Sequence, residues 1–138
     1  VRRWGGVIEH PEASKAWAHF NIAKPKRHAG WQRAGDCGGW TCYVEQGHYG
    51  HRARKATWLY ACGVELPRLH WGPSEASVRL DEGFHSAAER RASIERRASI
   101  ERMDKHERMD KHERMGTPPA FRDLLLAMAR SVRLERAA

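Results

Sequence analysis

The sequence predicts a mixed α/β fold, and three observations carry that expectation. Apolar runs with strand character at residues 6–9, 40–46 and 57–63 are separated by one helical pattern and by basic, turn-rich stretches. The order strand, helix, strand, strand suits the edge of an open α/β sheet. All six Trp and all three Tyr lie within residues 1–71, so one aromatic block must hold the core. Leu, Ile, Val and Phe together number only 21 of 138 residues, too few for a second independent core.

The elements follow in chain order. Gly6-Val7-Ile8-Glu9 is a short apolar strand with a polar end. Pro11-Glu12-Ala13-Ser14 opens a helix whose inner face carries Ala16, Trp17 and Phe20. Residues 21–36 read as a basic loop. Residues 40–46 alternate as a strand, residues 47–55 form a basic, His-bearing turn, and residues 57–63 form the next strand. The expected architecture is a partial Rossmann-like sheet edge of about three strands with one packed helix, a long charged helix and a C-terminal amphipathic helix.

Four segments result. Residues 1–71 are a basic, Trp-rich α/β block. Residues 72–88 are an acidic, turn-like linker, and residues 89–115 are a repeat. In the repeat, Glu-Arg-Arg-Ala-Ser-Ile occurs twice, then Glu-Arg-Met-Asp-Lys-His twice. As a helix it would reach about 40 Å, and each step of six turns roughly 600°, so its Ile and Met spread around the axis and no coiled-coil seam forms. Opposite charges at i,i+3 and i,i+4 suit a solvated helix. Residues 116–138 predict Thr117 as a cap, Pro118 and Pro119 in the first turn, and a helix over 120–135. Its apolar face carries Phe121, Leu124, Leu125, Met128 and Val132, widened by Leu126 and Leu134.

Composition narrows the function. The net charge is +8 and the pI near 9.9, which favours an anionic partner. No window approaches the ~18 apolar residues of a membrane helix, and no apolar stretch follows Val1-Arg2-Arg3-Trp4 as in a secretory signal. Val1 in place of Met points to an alternative start codon or to a piece of a longer chain. Three Cys, at 37, 42 and 62, fit a reducing compartment better than a disulfide scaffold.

The chemistry-bearing candidates are few. Glu9-His10-Pro11 ends a strand, the place where open α/β sheets bind ligands. A carboxylate there accepts hydrogen bonds from an edge such as that of cytosine; the plainer alternative is a strand-end Glu facing water. Gly50-His51-Arg52-Ala53-Arg54-Lys55-Ala56-Thr57 runs into a strand, and anchored Arg and Lys suit phosphate or base contacts; the alternative is a solvated basic turn. His51, Lys55 and the loop cations Lys24, Lys26, Arg27 and Arg33 are the candidate nucleic-acid-binding residues. Trp31, Trp40, Tyr49 and Trp58 could stack bases, although core roles suit most of them. Cys37, Cys42, His48 and His51 have the spacing C-x4-C-x5-H-x2-H, which departs from the usual zinc hairpins, and no metal site is expected. No Cys sits in a Pro-Cys turn, and glycine-rich phosphate loops and nucleophile elbows are missing.

Taken together, Gly6-Val7-Ile8-Glu9-His10-Pro11, the run from Gly50 to Thr57, and Trp58-Leu59-Tyr60-Ala61-Cys62-Gly63 resemble the C-terminal half of divergent, phage-type cytosine-C5 DNA methyltransferases. The resemblance spans residues 4–63. It implies that Glu9 holds a flipped cytosine by its N3/N4 edge and that Arg52 or Arg54, with Lys55, positions the base; Glu9, Arg52 and Arg54 are thus the candidate catalytic residues. Flipping is needed because C5 is out of reach inside the stacked duplex. His10 stands where the family has Asn. The family's cofactor loop and Pro-Cys nucleophile lie upstream of the glutamate strand, and only eight residues precede Glu9 here.

The resulting expectation is a DNA-facing methyltransferase-like fragment, inactive alone. S-adenosylmethionine enters only with a complementary N-terminal half, and the setting is the cytoplasm of a bacterial or phage-infected cell. The alternative is a small basic non-catalytic nucleic-acid-binding or phage accessory protein. A third reading, a decayed remnant, rests on the tandem duplications and the low aliphatic content.

Overall fold

The computed structural model describes residues 1–36, 38–76, 91 and 111–133. Its strands are β1 (Gly6–Pro11), β2 (Gln32–Arg33), β3 (Trp40–Glu45) and β4 (Ala56–Cys62). Its helices are α1 (Lys15–His19), α2 (Lys111–Met115) and α3 (Pro119–Arg130), and a 3-10 turn covers Gln46–Tyr49. The strands form one sheet in the order β1-β4-β3-β2, and each neighbouring pair is antiparallel. It follows that β1 and β3 run in the same direction and that β4 is inserted between them against both.

The mixed α/β class is as expected, with two departures in the sheet. Four strands are present rather than three, because β2 arises inside the segment read as a basic loop: Gln32 pairs with Thr41 and Arg33 with Trp40. Two residues are too short for alternation to be visible. The neighbours of a Rossmann-like sheet are mostly parallel; here the two co-directional strands are separated by β4.

Alternation along the strands gives the sheet two faces. One face joins Tyr43, Trp58 and Tyr60 to Trp17, Ile22, Ala34 and Ala56, with Ile8 packed beside them. The other joins Cys42, Val44 and Leu59 to Leu69 and Phe121. The sheet is the middle layer of three, which lets an aliphatic-poor chain build its first core from rings. Trp17 and Trp58 lie 5.6 Å apart at 57°, and Trp17 Nε1 donates to Thr41 Oγ1 at 3.1 Å. Such ring pairs add about 0.5–1.5 kcal/mol beyond area burial.

α1 starts where the Ser14 hydroxyl accepts from the Ala16 N–H. It ends in a Schellman motif: Asn21 adopts φ 54°, the Asn21 N–H donates to Ala18 O, and the Ile22 N–H donates to Trp17 O at 2.8 Å. This reversal carries Ile22 into the core against Trp17. It also turns Phe20 outward, where it is 55% exposed, so Phe20 does not share the inner face expected for it.

α3 begins at Pro119, whose missing N–H is no loss in a first turn. The cap position is Pro118 rather than Thr117, and no side chain caps the helix. Phe121 and Met128 are buried, Leu124 and Leu125 half-buried, and Leu126 exposed. The helix packs on β1 and the 3-10 turn and stops at Arg130, short of the expected 135. Ser131 Oγ donates to Met128 O and accepts from the Glu65 N–H, and the Arg133 N–H donates to Gly63 O at 3.0 Å. These bonds tie the tail to the end of β4. Gly5, at φ 77°, allows this approach, since a Cβ there would meet Val132 at 2.9 Å. Apart from Arg91 and Lys111–Met115, the expected long charged helix over 89–115 lies outside the described residues, as do residues 77–88 of the expected linker.

Candidate nucleic-acid interface

Because β1 and β3 run the same way, their carboxyl ends emerge on one side of the sheet, and β4 starts there. The register sets Pro11 opposite Thr57 and Glu45 opposite Ala56. The turn between β3 and β4 extends that ladder: Gln46 N–H donates to Lys55 O, Gly47 N–H to Arg54 O, and His51 N–H to Gln46 O. Gly50 supplies the left-handed step, at φ 100°, that ends the 3-10 turn. Glu9, Gln46, His51, Arg52, Arg54 and Lys55 are thereby gathered at one end of the molecule.

Glu9 is half-buried and does not simply face water. Its Oε1 accepts from Gln46 Nε2 at 3.3 Å, and the same amide donates to Thr57 Oγ1 at 3.0 Å. The Thr57 hydroxyl donates onward to Lys55 O. This network sets the orientation of the Gln46 amide, since the flipped amide would turn its oxygen toward the Glu9 carboxylate. Gln46 is fully buried, and its Oε1 has no hydrogen-bond partner among the described residues. A buried acceptor left unmatched costs about 1–3 kcal/mol. Burial lowers the Lys55 ammonium below its ordinary value, and the Glu9 carboxylate partly offsets that fall.

The basic turn is not simply open to solvent. Lys55 Nζ donates to Met115 O at 3.2 Å and to Gly116 O at 2.8 Å. Arg52 Nε lies 3.3 Å from Glu113 Oε1. His51, expected as a nucleic-acid contact, is buried: its Nδ1 lies 3.0 Å from the Ala53 nitrogen and 3.2 Å from the Ala53 oxygen, and its Nε2 lies 3.1 Å from Glu113 O. Arg54 is half-buried.

The loop cations divide. Arg27 makes a two-pronged ion pair with the buried Glu12, at 2.7 and 2.8 Å, and its Cζ lies 5.7 Å from the Tyr43 ring centroid. That gives Arg27 a structural role beside the binding role expected for it. Arg33 is exposed and lies 4.6 Å over Trp40, at the opposite end of the sheet from Glu9. Lys24 and Lys26 are exposed.

Sequence reasoning overlooked Gln46, Thr57 and Glu113. Gln46 reads as one more alternating strand residue, and Glu113 as one more charge of a repeat. It also overlooked the exposed Trp4 with Arg3 Cζ 4.9 Å from its ring. Of the expected stacking aromatics, Trp58 is core, Trp31 and Tyr49 pack against the second core, and Trp40 lies under Arg33. Burial pushes the Cys42 thiol far above its ordinary range, so it cannot supply a thiolate.

The four-residue zinc spacing is not assembled among the described residues. Cys37 lies outside them, and His48 Nε2 bonds to Gly72 O. No group of three or more His, Cys, Asp or Glu side chains gathers among the described residues. No helix among them is long and apolar enough to cross a membrane. Compared with protein-family models, with curated proteins and with solved structures, the chain matches none.

Proposed function

We propose that the chain is the DNA-facing fragment of a cytosine-C5 methyltransferase-like protein, inactive alone, with the base-binding end at Glu9, Gln46 and the 51–55 turn. One observation carries this reading: a half-buried carboxylate beside a partly buried lysine, at the carboxyl ends of two co-directional strands. Ligands of open α/β sheets sit at that end. In this reading Glu9 accepts the amino group of an extrahelical cytosine, and Arg52, Arg54 and Lys55 position the base and meet its flanking phosphates.

In this reading S-adenosylmethionine is held by a complementary N-terminal half and not by this chain. Several left-handed glycines serve the chain's own packing: Gly5 lies on Val132, Gly30 on Trp71 and Gly39 on Tyr60. The reading assigns methyl transfer to no residue of this chain and gives both cofactor site and nucleophile to the complementary half.

A second reading is a basic, non-catalytic nucleic-acid-binding protein. The observation favouring it is the pair of Arg-aromatic contacts away from Glu9, Arg3 with Trp4 and Arg33 with Trp40.

Fluorescence anisotropy with duplexes carrying one mismatched cytosine or one mismatched thymine separates the two, because a mismatched base costs least to extrude. Preference for the cytosine duplex, lost in Glu9→Gln while affinity for matched duplex is kept, supports the first reading. Equal binding of both duplexes leaves the second.

A further inference from the structure

The donors of the basic turn converge on one short stretch of the chain. His51 Nε2 meets Glu113 O, Arg52 Nε meets the Glu113 carboxylate, and Lys55 Nζ meets the carbonyls of Met115 and Gly116. Every acceptor is an oxygen bearing full or partial negative charge. The two taken by Lys55 are carbonyls at the carboxyl end of α2, which have no partner within a helix. A nucleic-acid backbone presents the same chemistry: anionic oxygens spaced along a strand.

Polar contacts hold the stretch against the turn. Residues 111–117 are all exposed, and Met115 is 70% exposed, so α2 buries no apolar side chain. Elements with few buried apolar contacts open at the low end of a protein's stability range. The stretch is nonetheless tethered closely. Pro118 is buried two residues after Gly116, and Phe121 is buried in the second core. A tether of that length keeps its oxygens at an effective concentration on the order of millimolar beside the turn.

We propose that residues 113–116 are a built-in competitor for nucleic acid at the turn 51–55, occupying the cationic donors until a strand of phosphates displaces them. This rests on the reading that the turn meets DNA and adds its regulation. A single phosphate cannot match four oxygens on a short tether. A duplex offering several phosphates at once can. The stretch therefore sets a threshold that favours extended nucleic acid over free phosphate or mononucleotide.

The test uses the full chain and a fluorescein-labelled duplex carrying a mismatched cytosine, with anisotropy for affinity and amide hydrogen exchange for the stretch. The Gly116 N–H, bonded to His112 O at 2.8 Å, reports whether α2 is in place. Glu113→Ala is expected to tighten DNA binding about two- to fivefold, the range of one half-exposed ion pair. Arg52→Ala combined with Glu113→Ala is expected to cancel that gain, and bound DNA is expected to speed exchange at Gly116. If Glu113→Ala binds as the parent chain does and Gly116 stays protected in the complex, the competitor is overturned while DNA binding stands. If neither chain binds the duplex, or the parent's binding ignores the 51–55 cations, the reading of the turn falls and the competitor with it.

Discussion

Lys55 Nζ lies 2.8 Å from the carbonyl oxygen of Gly116, a contact across 61 positions of sequence that joins the turn before β4 to the end of α2. It places a partly buried ammonium between two demands. On one side is the carboxylate of Glu9, and on the other are carbonyls that an α-helix leaves without partners. Lys55 also has a left-handed backbone, φ 43°, which a lysine adopts only at some cost. These contacts hold it there.

The contribution of the turn to DNA affinity is expected to be electrostatic. Replacing Arg52, Arg54 and Lys55 by Ala should reduce the slope of log K against log salt by about one unit for each phosphate contact removed. Anisotropy titrations at several salt concentrations measure it. An unchanged slope would place the DNA on another face.

Arg27→Ala is expected to act on stability. Its removal leaves the Glu12 carboxylate, 3% exposed, without its two-pronged partner, at a cost of about 1–3 kcal/mol. Lys24→Ala removes an exposed cation and should leave the urea midpoint within ~0.5 kcal/mol of the parent. Equal midpoints for the two variants would contradict the structural role of Arg27.

Asn21 is expected to tolerate Gly and to reject Val. At φ 54° a β-branched residue should cost about 1–2 kcal/mol, whereas Gly adopts the conformation freely. Thermal unfolding of the two variants distinguishes them. A Val variant as stable as the parent would argue against the helix ending in this motif.

Alkaline pH is expected to destabilise the fold through Cys42. Burial raises its folded-state pKa far above the ordinary 9.0, so only the unfolded chain releases this proton as pH passes 9. The folded state then binds more protons than the unfolded state, and stability falls by about 1.4 kcal/mol per pH unit over that range. Tyr49, also raised by burial, adds loss in the same direction above pH 10. Urea unfolding at pH 8 and pH 10 should show a shallower fall for Cys42→Ala than for the parent. A fall of the same steepness in both would assign the alkaline loss to other groups.

Much of the fold was legible in short stretches. Alternation placed residues 40–46 and 57–63 as strands, and the structure has Trp40–Glu45 and Ala56–Cys62. Trp17 was legible as core because a short helix in an aliphatic-poor block has few other residues to bury. Phe20 was misread because helical spacing was extended through a turn that Asn21 reverses. Thr117 was misread because capping propensity was applied one residue too early, ahead of two prolines. β2 was invisible, since its two residues acquire strand geometry only by lying beside β3.

The site divides in the same way. Residue chemistry alone singled out Glu9 and the 51–55 turn, because a carboxylate at a strand end and cations anchored on a strand are local features. What those groups touch was settled by contacts between distant segments. The insertion of β4 between β1 and β3 brought Glu9 to Gln46 and Lys55. The return of the chain after residue 110 set Glu113 on Arg52 and the last carbonyls of α2 on Lys55. Propensity, alternation and capping act over a few residues, and so a sequence displays them directly. Strand order and the pairing of charges depend on which distant surfaces bury each other, and that is decided only when the chain closes on itself.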